Sequence, residues 1–306
     1  GACLTQALEY VKQLGITAVF LWGLPEYYPR FGFVPILPRY YTKLKGEVAT
    51  QIIDSKPKQG KLRCLRASDL ARVSSIYNSN QMWLQPRRSL EWWQARYQEM
   101  GAEQAKVKEV PFPEKDKFLV WENTPGEITA YLNFSKNESE KLITITEAVS
   151  LELESANAIL EAFIKYHSEA DHFIKIRGIP TNYLNLAAYR LGGAHLNYAP
   201  RQGMVKVIDW AGFINQLMPL WNDRRAGQGI NDDSKLSFDV ERQSLQISMA
   251  NQAISLDITG NETVLTRLIF GLYDRSDLRF FKNQSPYLEK IFPQKYPFIW
   301  DANYLY

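Results

Sequence analysis

One pattern, written twice, constrains this 306-residue chain more than any other feature. QALEYVKQLGITAVFLWGLPEYYPRFGF, near the start, is echoed by ILEAFIKYHSEADHFIKIRGIPTNYLNLAAYRLGG in the middle. Each copy reads as an amphipathic helix, an apolar strand, Gly-apolar-Pro, an aromatic-bearing helix and a glycine. The punctuation is shared: WGLP stands beside RGIP, and Arg30-Phe31-Gly32 beside Arg190-Leu191-Gly192. Repetition of a whole supersecondary unit points to a duplicated α/β domain. Residues 1–33 and 157–193 are therefore expected to fold alike, as helix–strand–helix and not as antiparallel hairpins.

In the first copy Leu4, Ala7, Leu8, Val11 and Leu14 recur at helical spacing, a stripe that must pack on something, and Gly15 is a good stop. AVFLWG reads as a buried strand that Pro25 ends. LPEYYPRFGF, Leu24 to Phe33, then winds a short ring-rich helix, with Phe31 and Phe33 expected to pack it on the sheet and Gly32 to allow a close approach. The copies differ at their helix starts. Gly1-Ala2 precedes the first helix, whereas SLELESANA brings Glu152 and Glu154, and no glycine, to the second. Free N–H groups and the helix dipole attract anions, so a diphosphate can approach the first start and is repelled at the second.

Residues 34–60 read as a connector ending in DSKPKQGK. LRCLRASDLARVSSIYNSNQ then gives a strand, Ser68 or Asp69 as N-cap, and a helix burying Leu70, Val73 and Ile76. The alternation of KLRCLR reads as the solvated face of that strand. SLEWWQARYQEM is helical, its Trp92-Trp93 pair expected in the core and not as an aromatic cage. KFLVWEN and EITAYLNFSK form a hairpin and LITITEAVSLE a further strand. In the last third, Asp209 caps a helix burying Trp210, Phe213, Ile214, Leu217 and Met218. KLSFDVE and SLQISMANQAISLDIT alternate as antiparallel strands, GNETVLTRLIFGLY is an amphipathic helix, SPYLEKIF a short one, and PFIWDANYLY an extended tail. Three parts result: 1–50, 60–200, and an α+β domain over 203–306.

A formal charge of +3 and the absence of a basic stripe argue against a nucleic-acid partner. No apolar run reaches the ~20 residues of a membrane span, and there is no secretory leader. Cys3 and Cys64 form no disulfide framework, so a reducing, cytoplasmic setting is expected. His167, His172 and His195 lack ligand spacing with the cysteines, so no metal is expected. No Gly-x-Ser-x-Gly supports a serine hydrolase.

Tyr28-Pro-Arg30-Phe31-Gly32-Phe33 after an apolar strand resembles the Tyr-x-Arg/Lys-x-Gly-Phe signature of the GNAT superfamily of N-acetyltransferases. Gly1-Ala-Cys-Leu resembles the tail of that superfamily's Arg/Gln-x-x-Gly-x-Gly/Ala pyrophosphate loop, with Gly1 in its last position. From VKVIDW through TRLIFG to LEKIFPQKYPFIWD the chain resembles a sterol-carrier-protein-like domain. The order of parts together resembles the Eis (enhanced intracellular survival) family, over nearly the whole chain.

The resemblance implies α/β and α+β architecture: tandem GNAT-like mixed-sheet domains, the first partial, followed by the sterol-carrier-like α+β domain. It implies acetyl-CoA as co-substrate, held by Gly1, Ala2, Cys3 and Arg30, with no metal. Tyr28 would be the general acid, and the terminal carboxylate of Tyr306 would orient or deprotonate a primary amine, aminoglycoside- or lysine-like. Tyr27 keeps a structural reading, and Asp301 would position the tail. Partners would be a small-molecule or peptide amine; a homo-oligomer is open. The first strands and most of the phosphate loop of such a domain are missing here. Either the protein extends upstream or this chain binds acetyl-CoA poorly; extension is expected, because a half domain would expose AVFLWG and the Leu4–Leu14 stripe. The rival reading is a lipid- or small-ligand-binding module using the C-terminal domain, whose strands lack the long apolar surfaces of an obvious lipid tunnel.

Overall fold

The computed structural model describes residues 1–47, 59–80, 85–106, 117–124, 126–167, 169, 171–227, 235–239, 244–249, 252–257, 262–271 and 292. Two compact units emerge, unit 1 from Gly1–Pro38 with Ala199–Pro297 and unit 2 centred on Arg39–Tyr198.

The first echoing segment folds as helix α1 (Ala2–Gln13), strand β1 (Ala18–Trp22) and a 3-10 turn (Tyr28–Phe31) that Gly32 closes at φ 79°. The second folds as helix α4 (Leu153–His167), strand β7 (Phe173–Arg177) and helix α5 (Tyr183–Arg190), with Gly192 at φ 86°. Both have the expected helix–strand–helix order. A left-handed residue after each aromatic helix is needed to turn the chain into the next strand, and glycine adopts it without a Cβ penalty.

Those next strands are the main difference from expectation. Within the stretch read as a connector, Val34–Lys45 is a twelve-residue strand, β2. Pro35 and Pro38 hid it, since proline is depleted from strands. The second segment continues into an even longer strand, β8 (Ala194–Val207). The two strands are exchanged. In unit 1, β1 pairs antiparallel with the end of β8, Ala18 opposite Val207 and Trp22 opposite Gly203. In unit 2, β7 pairs antiparallel with the end of β2, Phe173 opposite Lys45 and Arg177 opposite Tyr41. Each segment's short strand is thus completed by the long strand of the other.

Unit 2 continues with β3 (Gly60–Cys64), α2 (Leu70–Ser79), α3 (Leu90–Lys106), β4 (Lys117–Asn123), β5 (Ile128–Asn137) and β6 (Leu142–Ser150). Its sheet runs β2-β7-β6-β5-β4-β3. The β6–β7 pair is parallel, joined by a crossover through α4; the others are antiparallel. The parallel pairing stops at Ile145 and Ile176, next to a bulge that leaves Thr146 unpaired opposite Asn133/Phe134. One face of the sheet buries Leu132, Phe134, Ile143, Ile145, Ile174 and Ile176 against Ile159, Phe163 and Leu184 of α4 and α5. The other face buries Tyr131 and Val149 against Val73, Ile76 and Trp93 of α2 and α3. Trp93 is 1% exposed, so the core expectation for it holds.

Two local readings need correction. Asp69 stands at the N-cap position of α2, as expected, but its carboxylate takes the Arg66 N–H (2.7 Å) across the preceding 3-10 turn (Ala67–Asp69) and not an amide of the helix. Arg63 of KLRCLR is not on a solvated face: it pairs with Asp69 (2.6 Å) and with Glu122, and its side chain is 14% exposed. Alternation marks faces of a strand but not which face a partner carboxylate occupies.

In unit 1, helix α6 (Trp210–Gly227) starts as expected, the Asp209 carboxylate accepting from the Gly212 N–H at 3.1 Å. Phe20 of β1 meets Phe270 edge-on, and Phe270 stacks on Phe213 of α6. Strands β9 (Lys235–Asp239), β10 (Ser244–Met249) and β11 (Gln252–Asp257) form an antiparallel sheet, followed by α7 (Glu262–Ile269). The tail PFIWDANYLY lies outside the described residues. Among the described residues no helix is long and apolar enough to cross a membrane.

Candidate active site

The strand β1 alternates, so Val19 and Leu21 point to one face. There they meet Leu8 and Leu4 of α1, Met204 of β8, Phe33 and the half-buried Tyr28 and Phe31. Leu14 and Ala7 of the expected stripe are instead exposed, Leu14 at 58%. The buried face of α1 is therefore narrower than its periodicity suggests.

Tyr28 is positioned by backbone punctuation. After Pro25 the amides of Tyr27 and Tyr28 both return to the Leu24 carbonyl, at 3.1 and 3.3 Å, and Gly32 N–H closes the turn on the Pro29 carbonyl at 2.9 Å. The Tyr28 ring lies directly on Gly23; a Cβ there would stand 2.1 Å from it, so only glycine allows the approach. Edge contacts to Tyr27 (5.1 Å) and Phe33 (5.8 Å) fix the ring further.

Tyr27 has the structural role expected of it, and it also joins two site residues. Its hydroxyl accepts from the Gly1 nitrogen at 3.0 Å, and Arg30 both lies over its ring (4.6 Å) and donates to its carbonyl (2.9 Å). Gly1, Ala2 and Cys3 are exposed at the start of α1, which has no side-chain cap and no acid in its first turn. The initial N–H groups of a helix lack intrahelical partners. Among the described residues no side chain bonds them, and a Cβ at Gly1 would meet nothing within 4 Å. These residues fit a phosphate-bearing ligand. Tyr306 lies outside the described residues.

Sequence reasoning missed Lys206. Met204 and Lys206 are two apart on β8 and share a face; Lys206 stands opposite Val19. Its ammonium crosses the apolar cluster and donates to the Phe31 carbonyl at 2.6 Å. That carbonyl ends the turn carrying Tyr28, and a charged donor contributes about 1.5–3 kcal/mol there. The lone lysine between valines in MVKVID was the available signal.

The matching places in unit 2 are built differently. The two aromatic segments differ in length: counted back from the closing glycine the Tyr28 position falls on Ala188, which is fully buried, and counted forward from WGLP and RGIP it falls on Tyr183, which is 42% exposed. Gly178, the counterpart of Gly23, faces the Asn185 amide: a Cβ there would stand 2.4 Å from its Oδ1. Asn185 donates to Thr42 Oγ1 (2.9 Å), itself 2.8 Å from His195 Nδ1. In the splay beyond Ile145 and Ile176, Asn182 donates to the Ala148 carbonyl at 3.3 Å. At the start of α4 Glu152 and Glu154 are exposed, with Ser155 Oγ on the Glu152 carboxylate at 2.9 Å.

Unit 2 also seals a charged cluster. Arg88 forks onto Glu147 with bonds of 2.8 and 2.7 Å, and Tyr131 donates to the same carboxylate at 2.8 Å. The guanidinium lies over the rings of Tyr77 (4.1 Å) and Trp92 (4.2 Å). Burial disfavours its charge, yet Glu147 holds it above its ordinary range; burial and then Glu147 push the Tyr131 phenol well above its own. Elsewhere Glu169, Asp171 and His172 bring ligand atoms within 4.8 Å of one another. Lys141 already engages Asp171, and His172 Nδ1 takes the Glu169 N–H (3.0 Å).

The mixed sheet, with its parallel pair ending beside a bulge, matches GNAT-like folds among solved structures. A GCN5-related N-acetyltransferase from Anabaena variabilis superposes with a TM-score of 0.62 at 10% identity, over 97% of this chain and 76% of its own. One from Kribbella flavida gives 0.59 at 13%, over 97% and 74%. Eis1 from Mycobacterium abscessus gives 0.51 at 13%, over 91% and 69%. No family model matches the chain, and no curated protein does.

Proposed function

We propose that this chain is an acetyl-CoA-dependent N-acetyltransferase of Eis-like arrangement. In this reading, 1–50 is the C-terminal half of an acetyl-CoA-binding GNAT domain and 60–200 a degenerate copy. Residues 203–306 form the sterol-carrier-like part. The observation that carries it is the asymmetry between the two segments. The first keeps a half-buried phenol on a short glycine-closed turn beside a helix start with no acid in its first turn; the second has an eight-residue helix in place of that turn and two exposed glutamates at its helix start.

When bound, acetyl-CoA supplies an acetyl group activated as a thioester. The first amides of α1, at Ala2 and Cys3, bind its pyrophosphate, and Arg30 adds positive charge nearby. The acceptor amine bonds to the acetyl carbon as the C–S bond breaks. The Tyr28 hydroxyl delivers its proton to the departing sulfur, and the amine's proton passes to water, from which the phenolate is reprotonated. The acceptor is a primary amine on a small molecule or a lysine-bearing peptide.

The test is thiol release from acetyl-CoA in the presence of an aminoglycoside and of a lysine peptide, with N-acetyl product identified by mass. Amine-dependent release supports the reading; failure to bind acetyl-CoA at millimolar concentration defeats it.

A further inference from the structure

We propose that Lys206 is a positioning residue: a side chain from the second segment's strand that locks the Tyr28 turn of the first. This rests on the acetyltransferase reading above. Lys206 stands on β8 among Val19, Met204 and Ile208, an apolar setting that no lysine needs for solubility. Among the described residues its ammonium donates to one acceptor, the Phe31 carbonyl at 2.6 Å, three residues after Tyr28. The contact continues along the turn, since a Cβ at Gly32 would lie 3.4 Å from the same nitrogen. A four-residue 3-10 turn has too few internal bonds to hold a side chain rigidly, and its terminal carbonyls attract a cation.

The duplication supplies an independent observation. The register of the exchanged strands is the same in both units, so every position has a counterpart. Val19 opposite Lys206 in unit 1 corresponds to Ile174 opposite Leu44 in unit 2. Leu44 is 1% exposed and packs in an apolar core. Where the short turn is replaced by the eight-residue helix α5, the lysine is replaced by leucine. A purely architectural lysine would serve the exchanged strand in both units; one that serves the short turn carrying Tyr28 is needed in one only. This also gives the second segment a task in the first one's chemistry.

Lys206→Met keeps length and suits the apolar surroundings, while Lys206→Arg keeps a donor. Lys206→Met should lower kcat by ~10- to 10²-fold with KM for acetyl-CoA within about twofold, because it loosens the proton donor and leaves the α1 amides alone. Lys206→Arg should recover most of that loss. On a Tyr28→Phe background Lys206→Met should cost nothing further, since there is no proton donor left to aim. An unchanged kcat, or an equal loss on both backgrounds, overturns the proposal. A second readout keeps it separate from the fate of the acetyltransferase reading. With 3-fluorotyrosine at position 28, Lys206→Met should shift or broaden the fluorine resonance and Lys206→Arg should restore it, even if no amine is turned over. An unmoved resonance in folded Lys206→Met protein also overturns it.

Discussion

The two echoing segments share backbone and punctuation, yet they differ in the polar groups at corresponding places. In unit 1 the start of α1 is uncapped and Tyr28 is half-buried. In unit 2 the cognate glycine is covered by Asn185, the parting of β6 and β7 is bridged by Asn182, and Arg88, Glu147 and Tyr131 satisfy one another in the core. A polar group left unsatisfied is tolerable where a ligand or water can reach it, and costly where neither can. Unit 2 bonds many of its polar groups to one another, although Asn133 Oδ1 and Asn185 Oδ1 have no hydrogen-bond partner among the described residues. On the reading proposed above, the first copy is the one that carries the chemistry.

Four experiments would break or sharpen that contrast. The largest effect belongs to Tyr28→Phe, which keeps the ring on Gly23 and removes only the hydroxyl. It should lower kcat by ~10²–10⁴-fold with an unchanged melting temperature. A fully active variant would erase the distinction between the segments at its most important point.

Next is Arg88→Met, which strands a buried carboxylate whose side chain is 4% exposed. Removing one partner of such a pair costs about 3–5 kcal/mol, so denaturant midpoints should fall steeply. Acetyl-CoA affinity in the folded variant should stay within about twofold; a large loss would show that the sealed cluster serves the site as well.

Cys3→Asp would make the start of α1 resemble that of α4. An acid at this place caps the free amides and repels phosphate, a change of up to ~2 kcal/mol. Acetyl-CoA should bind roughly tenfold more weakly by calorimetry, while helix stability rises slightly. Unaltered affinity would move the phosphate away from this helix.

The smallest effect is a pH dependence confined to unit 2. Burial alone would raise the Asp69 carboxyl, but the hydrogen bonds from Arg63 and the Arg66 N–H outweigh it and hold it below its ordinary 3.8. A lowered folded value means the stabilisation is complete above that pH and is lost as pH falls through the folded value. Asp69→Asn should therefore flatten the melting-temperature profile below about pH 4 and leave acetyl-CoA binding near neutrality unchanged. An unchanged acid limb would show that the Arg63 pairing contributes little.

Much of this was readable in the chain. Helix α1, strand β1, the aromatic turn and their counterparts follow from periodicity and from Gly23, Pro25, Gly32, Gly178, Pro180 and Gly192, all of which act on neighbours in sequence. The cap at Asp209 and the antiparallel run β9–β11 are local in the same sense. So is the difference between Gly1-Ala2 and Glu152–Glu154 at the two helix starts, and it marks the candidate site.

The exchange of long strands is not local. Apolar alternation in residues 203–207 suits β1 and β7 equally, and which one they pair with depends on a contact across most of the chain. Two prolines concealed β2 because propensity penalises them without knowing which N–H groups the fold leaves unused. Lys206 reads as an ordinary lysine until the exchanged strand carries it to the Phe31 carbonyl. Arg63 reads as a surface residue until Glu122, on the neighbouring strand β4, comes within reach. Partners distant in sequence are chosen by the packing that brings them together, and no window of residues contains that choice.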